Sequence, residues 1–205
     1  MKLKTVCQLG FLIVLPVIPT LGFGFELDQY KHIAKGVTAG VGRGITLFNK
    51  ELESARAEEV SLGIQLIPDV LHFSVPFGNY NVDSRGNVGD ALPIGTINVN
   101  TVGIALTLAK PGRWSPFVGI GGDFYSFGEQ FSTPVNIQNA FGARSHGGMR
   151  VRLIENIFEV VQVHGTIAYQ FSLLKPGISV PNKPEIDSLS LNRHGVMFRL
   201  ELTGL

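Results

Sequence analysis

The chain has 205 residues, 44% of them hydrophobic and only 16% charged, with a formal net charge of +1. That is too apolar for a disordered chain, and so small a charge gives no electrostatic reason to expect a nucleic-acid partner. The length suits one domain, and the 25 glycines, set within apolar stretches, favour strands over helices.

Residues 1–24 read as a secretory signal peptide. "MKLK" is a basic start, "FLIVLPVI" an apolar middle, and small residues at Gly22 and Gly24 place cleavage after Gly24. Pro16 and Pro19 interrupt the apolar run, which is too short to span a membrane. Cys7, the one cysteine, lies inside this segment, so the mature chain carries no thiol, which suits an oxidising periplasm. Residues 25–205 are left as the domain.

From residue 36 the dominant period is two. "GVTAGVGRGITLF" (36–48) opens the series. In "EVSLGIQLI", Val60, Leu62, Ile64 and Leu66 oppose Ser61, Gly63 and Gln65. In "VLHFSVPF", Leu71, Phe73, Val75 and Phe77 oppose His72 and Ser74, and in "TVGIALTL" Val102, Ile104, Leu106 and Leu108 oppose Thr101, Gly103, Ala105 and Thr107. "PFVGIGGDFYSF" (116–127) and "FGARSHGGMRVRL" (141–153) follow. In "ENIFEVVQVHGTIAYQF", Val161, Val163, Ile167, Tyr169 and Phe171 lie on one face, with Gln162, His164, Thr166, Ala168 and Gln170 on the other. The last segment sets Val196, Phe198, Leu200 and Leu202 against Met197, Arg199, Glu201 and Thr203. Each is a two-faced strand, about eight in all.

The connections alternate. Long polar ones cover roughly 49–56, 78–94, 128–140 and 172–190; short ones fall around 67–70, 110–115 and 154–156. Long loops at one end and short turns at the other mark an outer-membrane barrel. The polar faces hold mainly glycine, serine, threonine and glutamine, as a crowded enclosed surface would, and the apolar faces are continuous. Phe48, Phe77, Phe127, Tyr169 and Phe171 near strand ends suggest an aromatic girdle. The expected fold is therefore all-β, an eight-stranded antiparallel up-and-down transmembrane β-barrel with periplasmic termini.

Pro116, Phe117, Val118, Gly119 and Gly121, the turn "LIEN" and the turn "LIPDV" together resemble the OmpW-like outer-membrane proteins. The resemblance covers most of the mature chain as a pattern. It implies an eight-stranded barrel that small hydrophobic molecules enter and leave sideways through the wall. The family fixes no ligand-contacting residue that can be carried over. The chain ends "RLELTGL", without the aromatic residue on which outer-membrane barrels usually close.

With the apolar faces outward, His72, Asp123, Arg144, His146, Arg150, Arg152, His164, Arg199 and Glu201 point into the lumen. Eight strands enclose only side chains or one small ligand. The choice is between a salt-bridged plug, favoured because an unpaired charge there is costly, and a polar constriction below a pocket. "GVGRG" and "GIGGD" open no helix and precede no Gly-Lys-Ser/Thr, so they are not phosphate loops. No residue spacing suggests a metal, and no cofactor is expected.

The functional expectation is a narrow conduit or binding barrel for small hydrophobic molecules, in the bacterial outer membrane. Its partners would be outer-membrane lipid and lipopolysaccharide, a hydrophobic solute and the barrel-assembly machinery. The alternative is an OmpA-like structural or adhesive barrel acting through its loops. A lipid A deacylase-like enzyme is the weaker reading. It would need His164 and Thr166 on the lipid side, and threonine is a poor nucleophile in place of serine. The chain is accordingly read as a non-enzyme.

Overall fold

Branched and aromatic residues alternate with glycine, serine and threonine, which suits a pleated ribbon with one greasy and one crowded face. The computed structural model describes residues 36–48, 52–84, 92–157, 161–180 and 191–204; the segment expected to be a signal peptide lies outside them. Eight long strands build the wall: β1 (Val37–Phe48), β2 (Ala55–Ile67), β3 (Leu71–Ser84), β4 (Gly95–Ala109), β5 (Trp114–Phe131), β7 (Ala140–Ile157), β8 (Val161–Leu173) and β10 (Arg193–Gly204). Each pairs antiparallel with its neighbours along the chain, and β1 pairs with β10 to close the barrel. Closure leaves no free edge, so every strand can meet lipid without an unpaired backbone. Two short strands in different loops, β6 (Asn136–Ile137) and β9 (Ile178–Ser179), pair across the loop end.

The turn end is tight. Val70 donates its N–H to the Ile67 carbonyl at 3.0 Å, and Asp69 takes a left-handed conformation with φ 58°, which a short acidic side chain tolerates. One short turn differs from expectation: β7 runs on to Ile157, so residues 154–156, including most of "LIEN", belong to the strand, which accommodates them by shifts of register against β8.

The loop-end strands are longer than the apolar pattern suggests. Expected loop segments 78–84 and 128–131 are strand. At ~3.3 Å per residue and a tilt near 40°, an 18-residue strand such as β5 rises roughly 45 Å. A lipid-facing band is only about 25 Å tall, and the excess shows as a change of polarity. Outward on β5 are Trp114, Val118, Ile120 (69% exposed) and Phe124; higher up, outward positions become Ser126, Gly128 and Gln130. Inside, the order reverses, from Gly119 and Asp123 to Tyr125, which is fully buried.

The same exchange occurs on β3, where Leu71, Phe73, Val75 and Phe77 share the outward face and give way to Asn79, Asn81 and Asp83, while Tyr80 and Val82 turn inward. Phe48 and Phe127 therefore do not belong to an outer girdle. Both pack on the interior cluster, with Phe48 against Tyr80 at 5.7 Å and Phe127 stacked on Tyr125 at 6.4 Å between ring centroids. Phe77, Tyr169 and Phe171 face outward, joined by Trp114, Phe141 (82% exposed) and Phe198.

Candidate functional site

The barrel interior divides into a charged bore below and an apolar core above. In the bore, Glu59 on β2 meets Arg199 of β10 at 2.7 Å and Arg144 of β7 at 3.5 Å. Arg144 also reaches Asp123 of β5 at 3.5 Å, and Asp123, 1% exposed, meets Arg193 of β10 at 3.9 Å. Two carboxylates thus bind three guanidiniums into one chain of ion pairs across the barrel. Such a chain is tolerated in a dry interior because each charge has an opposite neighbour. Space for it comes from glycine: a Cβ on Gly103 would run into the Asp123 carboxylate, and one on Gly119 into the His146 ring.

Toward the turn end the bore holds a cavity of about 60 Å³, lined by charged and polar groups, His72, His146, Arg150, Arg199 and Glu201 among them, and by apolar ones including Pro76, Ala105 and Phe117. It has room for several water molecules. Thr107 Oγ1 and His146 Nε2 share a hydrogen bond of 2.8 Å. His164 is buried on β8 in register with Glu201 on β10 and Arg152 on β7. Asp69 closes the bottom, 3.5 Å from Arg152 and 3.9 Å from Arg150.

All nine residues singled out from the sequence lie on the interior parity of their strands. Asp123, Arg144 and Arg199 join the ion-pair chain; His72, His146, Arg150, Arg199 and Glu201 border the cavity; Arg152 sits at the closed base. Two members of the ion-pair chain were missed. Glu59 shares the face of Ser61, Gly63 and Gln65, so its parity was readable. Arg193 shares the parity of Met197 and Arg199, ahead of the point where the last strand was taken to begin.

Arg193 is the seam between the two compartments. Its guanidinium carbon lies 5.0 Å from the Tyr80 ring centroid and 5.4 Å from that of Tyr125, close enough for cation–π attraction. Tyr125 turns its hydroxyl down to donate to Asp123 Oδ2 at 3.3 Å. Above these rings Val82, Ile97, Val99 and Leu174 pack into an apolar core, capped by Ile137 and Ile178 of the β6–β9 pair. The roof is tied by Ile137 N–H to Glu129 Oε1 at 2.6 Å and Gln138 N–H to the Gly177 carbonyl at 2.9 Å.

Solved structures share this architecture. The outer membrane protein OprG from Pseudomonas aeruginosa matches with a TM-score of 0.56 at 14% identity, covering 84% of this chain and 97% of that one. AlkL, determined by solid-state NMR in DMPC bilayers, gives 0.54 at 10% identity, over 83% of this chain and 90% of that one. Neisserial surface protein A gives 0.52 at 13% identity, over 82% and 96%. The chain has the fold of the small outer-membrane barrels. At these identities the likeness is one of backbone architecture. No family model and no curated protein matches the sequence.

Proposed function

We propose that the protein inserts in the bacterial outer membrane through its apolar belt, turn end toward the periplasm, and admits small hydrophobic molecules at its loop end. The observation that carries this reading is the apolar, aromatic-floored core at the loop end, standing on a charged bore. Val82, Ile97, Val99 and Tyr125 are packed on one another, and a hydrocarbon would gain about 25 cal/mol per Å² buried among them once that core parts. It then meets an ion-pair chain that it cannot solvate. Straight passage is closed to it, and its way out lies sideways through the wall into the bilayer, the route the OmpW-like resemblance implies. Entry requires the β6–β9 roof to lift.

In this setting outer-membrane lipid and lipopolysaccharide surround the belt, and the barrel-assembly machinery would handle the nascent chain. No catalytic step is assigned. The test is uptake of a fluorescent alkyl-chain solute by cells with and without the protein, together with Val99→Asp, which puts a charge into the upper core. The reading expects faster uptake with the protein and loss of that gain in the variant. Equal uptake in all three would overturn it and favour a loop-borne adhesive role.

A further inference from the structure

Among the described residues five guanidiniums enter the bore, and four have close partners. Arg199 meets Glu59 at 2.7 Å, Arg144 lies 3.5 Å from both Glu59 and Asp123, and Arg152 lies 3.5 Å from both Asp69 and Glu155. Arg193 sits between the rings of Tyr80 and Tyr125 and donates to Ser172 at 3.3 Å. Arg150 of β7 is the exception. It is 5% exposed, and its nearest described carboxylate oxygen, on Asp69, stands 3.9 Å away, beyond hydrogen-bond reach. Asp69 is shared with Arg152 and its side chain is 34% exposed, so water weakens its hold on either arginine. The Nε of Arg150 has no hydrogen-bond partner. A buried guanidinium matched so poorly is costly.

Arg150 lines the turn-end cavity, and other unspent polar atoms line it too. His72 Nε2, Thr166 Oγ1 and the Nε atoms of Arg144 and Arg199 are buried without partners. A histidine nitrogen donates in one tautomer, and a hydroxyl turns to suit its neighbour. The carboxylates of the lining do not answer Arg150. Glu59 is held by Arg199 and Arg144, and Glu201, half-buried, forms no ion pair with Arg150. The cavity therefore presents several donors and one poorly matched positive charge to whatever fills it.

We propose that this cavity binds one small, weakly hydrated monovalent anion, of the nitrate or bromide class, against Arg150. One negative charge is the limit, because Glu59 and Glu201 line the same space and repel a dianion. Weak hydration follows from the rest of the wall: Pro76, Ala105 and Phe117 replace none of the water that an anion gives up on entry. A volume of about 60 Å³ admits an ion of a few heavy atoms. The planar guanidinium matches a planar oxyanion through parallel N–H donors. Water alone satisfies the donors but leaves the charge of Arg150 uncompensated. The site lies apart from the loop-end core and does not depend on what that core admits.

The test is urea unfolding of the protein in lipid vesicles, followed by Trp114 fluorescence, with nitrate exchanged for gluconate at constant ionic strength. Gluconate is too large for the cavity. The wild-type protein should gain stability as nitrate rises and then level off, as mass action at one site requires. Arg150→Gln should weaken nitrate binding by about tenfold or more. In gluconate alone that variant should be at least as stable as the wild type, since it removes the poorly matched charge. Anomalous scattering from wild-type crystals grown in bromide locates the ion even where Arg150→Gln does not fold, and should give a peak beside the Arg150 guanidinium. No saturable response to nitrate, or the same response in Arg150→Gln, would overturn the site and leave the cavity to water or to Glu201 turned onto Arg150. A bromide peak elsewhere in the bore, or none, would overturn it as well. So would an equal loss of stability by Arg150→Gln in both salts, which would make Arg150 a structural cation only.

Discussion

Between Trp114 and Phe124, β5 turns valine, isoleucine and aromatic residues outward and keeps Ser115, Phe117, glycine and Asp123 inside. Beyond Phe124 the same ribbon turns serine, glycine and glutamine outward and holds Tyr125 and Phe127 within. The lower half is arranged as membrane barrels are, with apolar residues outside and paired charge within. The upper half is built like a soluble barrel, with a dry core and a wet surface. A strand does not belong to one environment along its whole length. Parity is fixed by the pleat, so a change of surroundings has to be written as a change in which parity carries the grease.

The largest test of this contrast removes one support from each half. Glu59→Ala strands Arg199 in the bore, leaves Arg144 with Asp123 alone, and should cost about 3–5 kcal/mol. Tyr125→Ala leaves a cavity in the floor of the upper core and should cost a similar ~3–5 kcal/mol. Reversible urea unfolding in lipid vesicles, followed by the fluorescence of Trp114, the only tryptophan, measures both. The halves separate in a second pair of changes on one face of one strand. Ile120→Arg puts a charge into the apolar belt and should cost about 2–4 kcal/mol. Gln130→Arg, outward above the belt, should stay within about 0.5 kcal/mol. Equal costs would erase the proposed boundary. Smaller still than Ile120→Arg, Gly103→Ala should cost about 1–3 kcal/mol by crowding Asp123; an Asp123→Ala background should relieve that crowding.

Much of the lower half was legible in the sequence. Outward Val102, Ile104, Leu106 and Leu108 and inward His72, His146 and His164 follow from period two alone, once the long-short sequence of connections identifies a barrel. The upper half was misread because it obeys the same period with the faces exchanged. "NYNVD" at 79–83 looks polar and loop-like unless Tyr80 and Val82 are seen to share one parity. The same assumption assigned Phe48 and Phe127 to the outside. Partners within the bore were beyond reach for another reason: Glu59 and Arg144 lie on non-adjacent strands and meet only across the closed barrel, at a distance set by curvature and not by spacing. The β6–β9 pairing joins two separate loops and has no local signature.

The exchange of faces along a strand is best measured by a spin-label scan of outward positions on β5 in lipid bilayers, comparing access of oxygen, which concentrates in acyl chains, with that of a water-soluble nickel chelate. The labels at positions 118, 120 and 124 should favour oxygen, and those at 126, 128 and 130 the chelate, with the crossover just above Phe124. Oxygen preference continuing through residue 130, or chelate access at residue 120, would contradict the two-environment barrel.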